Sequence, residues 1–483
     1  MIRSSRRRAT ALVLVLWISF CLVVVAVYFA HTARLTYLSS DNALAGMRAD
    51  QAIAGAQRYV SYGLETYVTA GDFPETSAST TTGSVSKSST TTSRLSASMN
   101  SGTTASSSAT TTGDFEFEAV PVGQAKFWII GRDTDATVAP TEPVFGLVDE
   151  ASKLNLNTAT VEMLEALPNM TPEVAAAIVD WRDTDSDVTT GGAESSDYLL
   201  LDNGYSAKDG PFETPEELGL VKGVDMALLY GEDTNRNGIL DPNEDDGDAS
   251  WPPDNADGIL DPGIIEYVTT FTRDSNTQAD GSERINLKGS SAITDLRDAL
   301  TTAVGQQRAN QIMLTVTPRL ASMNSVLEFY QLSGLSEAEF TPLADKLSVS
   351  GSNYVQGLVN VNTAPAAVLA CLPAMTQELA ESLVSTRAGL DDESRKSIVW
   401  VTKVLSPEIA TEIGPYVTTR SNQFSADVTA FGQNDRGFRR VLMVIDYTDK
   451  ARLIYRHDLT RAGNPMANWD GWKSTQPNEG SKV

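Results

Sequence analysis

Residues 9–30 read ATALVLVLWISFCLVVVAVYFA, 22 positions without a charge, directly behind the basic stretch MIRSSRRR. Nothing else in the chain limits its fold so strongly. As a helix this run reaches about 33 Å, enough to cross the hydrocarbon of a bilayer. The arginines in front hold the N-terminus in the cytoplasm and place the bulk outside. A cleaved secretory signal is the competing reading. Its apolar core is shorter than this run, and no A-x-A-like site follows directly. Residues 31–68 continue a helical pattern rich in Ala, Leu, Arg and Gln, without proline. The pattern predicts one helix over 10–70, behind a basic leader at 1–9. Only its first third is apolar enough for lipid, so the rest needs a protein surface to lie on.

Charge narrows the function classes. Four of the 37 basic residues precede the apolar run, leaving 33 against 62 acidic residues. A surface so acidic repels phosphate backbones and forfeits the counterion release that drives nucleic-acid binding. It suits a protein that holds cations. Two histidines, His31 and His457, give little for a His-based zinc site or a catalytic triad. Cys21 lies in the apolar run and Cys371 in a predicted helix, so no disulfide is expected between them.

Residues 74–112, dominated by Ser, Thr, Ala and Gly, are expected to be a disordered insertion. FEFEAVP (115–121) and AKFWIIGRDTD (125–135) read as strands, as do FSADVTAFG (424–432), RRVLMVIDYT (439–448) and ARLIYRHDL (451–459). The fold class is α+β. A small sheet from 113–148 and 415–462 sits on the long helix, a large α-domain is inserted over 149–414, and 463–483 is a flexible tail.

Inside the insertion the chain repeats itself. Residues 154–182, LNLNTATVEMLEALPNMTPEVAAAIVDWR, align without a gap to 359–387. The shared frame is N-x-N-T-A, L-P-x-M-T and a helix ending in arginine. Thr158 and Thr363 are expected to cap the first helix of each pair, and Thr171 and Thr376 the second. Each copy reads as a helix hairpin like the helix-hairpin-helix module, which in many proteins grips DNA through a glycine-rich turn. The turns here, PNMTP and PAMTQ, hold no glycine pair and no basic residue. The packing reading therefore outweighs the alternative of a membrane-anchored DNA-binding or DNA-uptake protein. PFETPEELGLVKGV (211–224) and RLASMNSVLEFYQLSGL (319–335) form a weaker second repeat. No Ser/His/Asp, Cys/His or HExxH arrangement supports an anchored hydrolase.

DTNRNGILDPNE (233–244) fits the EF-hand-type pattern D-x-[DN]-x-[DN]-G-x5-E. Asp233, Asn235, Asn237, Asp241 and Glu244 supply side-chain oxygens, Ile239 its carbonyl, and Gly238 the sharp turn, a donor set suited to calcium. Leu240 is expected to point into the core. A second copy, NADGILDP, keeps Asn255, Asp257 and Asp261 around Gly258. Pro253 and Ile264 stand at its first and twelfth positions, so Asp254 or Glu266 would have to substitute. Calcium would also offset the self-repulsion of Glu244, Asp245, Asp246 and Asp248.

The leader, the apolar helix, the β segments and an α-rich region bearing NLNTA, PFETPEEL, the acidic loops and VNVNTAPAAVL resemble, in that order, the protein K family of type II secretion minor pseudopilins. The resemblance covers about 6–448. It implies a pilin-like domain with an inserted α-domain, bound calcium and no enzymatic activity. It implies a place at the pseudopilus tip with two other minor pseudopilins, on the inner-membrane platform of the machine. The protein would cross the inner membrane once, with its bulk in the periplasm. It also implies peptidase cleavage between Ala9 and Thr10, although the family has glycine before the cut. Leu14 would then be fifth after the cut, where most pseudopilins carry glutamate and protein K does not.

Overall fold

In the computed structural model the described residues are 3–70, 115–133, 140, 142–469 and 472, with side chains of the first helix described over 14–66. The Ser/Thr-rich segment 74–112 lies outside them. Ala9 and Thr10 fall within the first helix, their side chains outside the described set.

Helix α1 runs Arg3–Ala70, roughly 100 Å of continuous helix. Its N-terminal half is bare, with Trp17 70% and Phe20 67% exposed. Among the described residues it is the one helix long and apolar enough to cross a membrane. The C-terminal half is different. Ala45, Ala49, Ala52, Ile53, Ala56, Val60 and Leu64 form a buried stripe at helical spacing. Small residues let the backbone come close: a Cβ on Gly432 would lie 2.2 Å from the Ala45 carbonyl oxygen, so only glycine fits there.

The stripe lies on a six-stranded antiparallel sheet. Its strands are β1 (Val120–Val122), β2 (Ala125–Ile130), β3 (Val148–Asp149), β4 (Gln423–Phe431), β5 (Arg439–Asp446) and β6 (Arg452–Asp458). The order is β1-β2-β4-β5-β6, with β3 beside the start of β4. Register sorts the side chains into two faces. Ile129 pairs with Val428 and Val428 with Val441, on the face shared by Phe127, whose ring meets Tyr59 of α1 at 5.7 Å. Trp128 pairs with Thr429 and Thr429 with Arg440, on the opposite face. Every residue of β4 is buried, because α1 covers the first face and the insertion with the C-terminal segment covers the second.

The chain leaves the sheet after β3 and returns at β4, so the insertion is 150–422 rather than 149–414. Val417–Thr418, assigned to the sheet by sequence, instead pairs in parallel with Val359–Asn360 inside the insertion. Leu154–Asn155 pairs in the same way with Val268–Thr269, and Ile285–Asn286 with Leu347–Ser348. The insertion is thus three copies of one unit, not two: an opening strand, a run of short helices and a closing strand parallel to the first. In each, the asparagine side chain of the opening strand accepts from the backbone N–H two residues on, at Asn157, Lys288 and Asn362. The outer copies share one apolar core, and the middle copy has its own around Leu296, Phe329 and Phe340.

That asparagine turn displaces the expected caps. Thr158 and Thr363 are spent in the turn, and the first helices begin after Thr160 and Pro365. Thr171 and Thr376 do cap the second helices, each accepting at 3.3 Å. The arginine closing each second helix reaches back to its own turn: Arg182 donates to the carbonyls of Leu156 and Ala159, and Arg387 to those of Val361 and Ala364.

Asp149 joins sheet and insertion. It is buried, and its carboxylate accepts from Ala151 N–H, Asn360, Thr363 and Ser421. Burial outweighs these donors and pushes its pKa from 3.8 to about 6. The folded protein therefore binds this proton more tightly than the unfolded chain, and the group's contribution to stability falls as pH rises from about 4 to about 6. That gap corresponds to up to about 3 kcal/mol. Asp149→Asn is expected to flatten this part of the stability–pH curve. Unfolding midpoints of the two proteins between pH 4 and 7 check it, and parallel curves would refute it.

Candidate metal centre

The loop 233–244 starts just past the short helix Met226–Tyr230. Gly238 takes φ +70 at the sharp turn, as the pattern requires. Asp233 is buried, and its two carboxylate oxygens accept the backbone N–H groups of Asn237 at 2.9 Å and Gly238 at 2.8 Å. Asn235 and Asn237 both donate their amide NH2 to Asp241 Oδ2, at 2.6 and 3.0 Å. Glu244 turns back to accept from Asp241 N–H at 3.1 Å. The fold brings these five residues together, with Asp233, Asn237, Asp241 and Glu244 buried. Ile239, not Leu240, supplies the buried apolar side chain.

The electrostatics are those of carboxylates short of positive charge. Glu244 is pushed up to about 8, first by burial and then by the charge of Asp233. Asp233 is raised by burial against the opposing pull of Arg132. Two buried oxygens, Asn235 Oδ1 and Glu244 Oε1, have no hydrogen-bond partner. Unpartnered buried oxygens beside three carboxylates fit a hard divalent cation such as calcium.

The loop is fixed to the sheet by arginines the sequence did not single out. Arg440 is fully buried, pairs with Asp427 on the second face, and donates to the carbonyls of Asn235 and Arg236. Arg132, just past β2, donates to the Arg236 carbonyl at 2.7 Å.

The second loop differs from expectation. Asn255, Asp257 and Asp261 are exposed. Glu266 does not join them: it pairs with Arg132 at 3.0 Å, and although burial raises its pKa, Arg132, Lys153 and Arg236 bring it down to about 2. Asp254 closes a local turn, accepting from Asp246, Gly247 and Ala256 N–H. The missing end positions are filled from the first loop's flanks. Glu232 accepts from Asp261 N–H at 3.1 Å, as Glu244 does from Asp241, and Asp245 accepts from Gly258 N–H at 2.9 Å, as Asp233 does from Gly238. The two loops are therefore interlocked through Glu232-Asp233 and Glu244-Asp245.

A third acidic site escaped the sequence reading. Asp183, Asp185 and Glu194 offer carboxylate oxygens within 4.8 Å of one another. Asp183 Oδ1 and Glu194 Oε1 are buried without partners. Both carboxyls are raised, by burial first and then by neighbouring acids including Asp180. Beneath them Asp180 is fully buried, and a Cβ on Gly192 would fall 2.1 Å from its Oδ2. The signal was present as D-T-D-S-D (183–187), carboxylates at alternate positions ahead of Gly191-Gly192, but it matched no loop pattern.

This third site falls inside a recognised domain. The family model described as type II secretion system, protein K, first domain, matches residues 146–230. The match spans 85 of the chain's 483 residues. The protein K segment thus holds the first repeat's hairpin and the Asp183 cluster, while both calcium-pattern loops lie beyond it. No curated protein matches the chain. Among solved structures, the GspK-GspI-GspJ complex from the enterotoxigenic Escherichia coli type 2 secretion system is similar at 12% identity, over 70% of this chain and 81% of that one. The TM-score is 0.30, too low for the superposition to carry weight.

Proposed function

We propose that the chain is a minor pseudopilin at the tip of a type II secretion pseudopilus. Helix α1 anchors it in the inner membrane and the head lies in the periplasm. Its role is assembly of the export machine, beside other minor pseudopilins and on the inner-membrane platform. One observation carries the reading: a protein K domain opens an insertion placed between β3 and β4 of a sheet stacked on the second half of α1, whose first half is bare and apolar. Leu14 supports the terminal position. It is an exposed apolar side chain, where a glutamate in lipid would need a partner to offset its burial.

Calcium belongs to this reading as the clamp of the head. Asp233, Asn235, Asn237, Asp241 and Glu244, with the Ile239 carbonyl, would hold one ion. Asp183, Asp185 and Glu194 would hold a second. Asn255, Asp257 and Asp261, with Glu232 and Asp245, form a weaker exposed candidate. A bound cation supplies the positive charge these carboxylates lack.

Deleting the gene in the organism that carries it is expected to abolish release of type II cargo into the medium. The intact chain restores release, and a chain lacking 146–230 does not. Unchanged release overturns the proposal. Retardation of duplex DNA by micromolar protein at low salt would favour the DNA reading instead.

A further inference from the structure

Residues 463–483 were expected to be a flexible tail, and the described part of them is docked. Met466 is fully buried, Trp469 meets Phe145 at 5.6 Å, and Trp472 lies 4.1 Å from Phe431 and 5.4 Å from Trp128 on the second face of the sheet. Among the described residues 464–469 no strand pairing fastens this segment; its backbone closes on itself in short turns. Two of its polar fastenings lead to the loop. Asn237 Nδ2 donates to the Pro465 carbonyl at 3.1 Å, and Asn468 Nδ2 donates to Asp241 Oδ1 at 2.9 Å.

We propose that the 233–244 loop is the clasp of the C-terminal segment, with Asn468 a positioning residue for Asp241, so that cation binding and docking of 464–469 and Trp472 are coupled. Asn237 and Asp241 bind well only if their oxygens are held in place, and the docked segment holds one by its carbonyl and the other by an amide. Linkage makes the effect reciprocal: a cation that orders these two residues strengthens docking by the same factor that docking strengthens cation binding. Without the cation the segment loosens, and Trp128 and Phe431 lose the cover of Trp472. Divalent cation supply thus decides whether an aromatic patch on the second face is covered. The inference rests on the calcium reading of the loop.

The test uses the full chain in detergent micelles. Terbium luminescence with calcium competition reads binding, and hydrogen–deuterium exchange reads residues 464–469. Chelation is expected to speed exchange there about tenfold, and Asn468→Ala to weaken calcium binding about tenfold, within the usual range of coupling between sites. A chain ending at Gly463 should show the same loss of affinity, which covers the case of an Asn468 variant that does not fold. Calcium binding with unchanged exchange at 464–469, or unchanged affinity in the shortened chain, overturns the clasp and leaves the calcium reading standing. Absence of calcium binding overturns both.

Discussion

Chelating divalent cations from the full chain is expected to lower its unfolding midpoint by about 5–16 °C, and Asp233→Ala to remove most of the difference. The magnitude follows from linkage. A cation at 100 to 1,000 times its dissociation constant stabilises the folded state by about 2.7–4 kcal/mol, at roughly 2–4 °C per kcal/mol for a domain of moderate size. The sign follows from the loop. Asp233, Asp241 and Glu244 are all at most 5% exposed within twelve residues, and burial, then the charge of Asp233, pushes the Glu244 carboxyl up to about 8. Burying like charges costs free energy that only an opposite charge offsets. Asp233 is the substitution of choice because it also braces the turn through two backbone N–H groups. Asp257→Ala, at the exposed second loop, should leave the shift nearly intact. A midpoint indifferent to chelator would remove the first loop from consideration as a cation site.

The sequence made plain whatever local chemistry dictates. An uncharged run behind arginines gives α1, alternating apolar residues give β2, β4, β5 and β6, and D-x-N-x-N-G gives the first loop. It was misleading where a residue's partner lies far along the chain. Thr158 looked like a cap because cap chemistry is local, yet the Asn155 side chain had already claimed that turn. Glu266 looked like a spare ligand because it follows the second loop, yet Arg132, 134 positions earlier, takes it. The third repeat was missed because Ile285-Asn286-Leu287-Lys288 keeps only the asparagine of the N-x-N-T-A frame. Its identity lies in parallel pairing with Leu347–Ser348, which no local pattern records. The tail read as loose because Met466, Trp469 and Trp472 stand among glycine, proline, asparagine and aspartate, although together they cover one face of the sheet.

Arg440 is where a single substitution should do most damage. Its guanidinium is fully buried, donates twice through Nε to Asp427 at 2.9 and 3.2 Å, and reaches the carbonyls of Asn235 and Arg236. Arg440→Met is expected to cost about 3–5 kcal/mol, the usual penalty for removing one partner of a buried ion pair. Most of that loss comes from what is left behind: an uncompensated Asp427 and an Asn235 carbonyl stripped of this donor, while the Arg236 carbonyl keeps Arg132. Arg440→Lys should recover little, since an ammonium lacks the planar fork that serves a carboxylate and two carbonyls at once. The double change Arg440→Met with Asp427→Leu should recover most of the midpoint while leaving calcium affinity reduced, because the sheet would again be free of unpaired charge but the loop backbone would still lack its anchor. That split separates two roles held by one side chain, pairing within the sheet and gripping the loop. If the double variant regained full calcium affinity, the grip of Arg440 on Asn235 and Arg236 would be incidental. If Arg440→Met melted within about 1 °C of the parent, less than the shift expected of even 1 kcal/mol, the buried pair would not hold the head to the sheet at all.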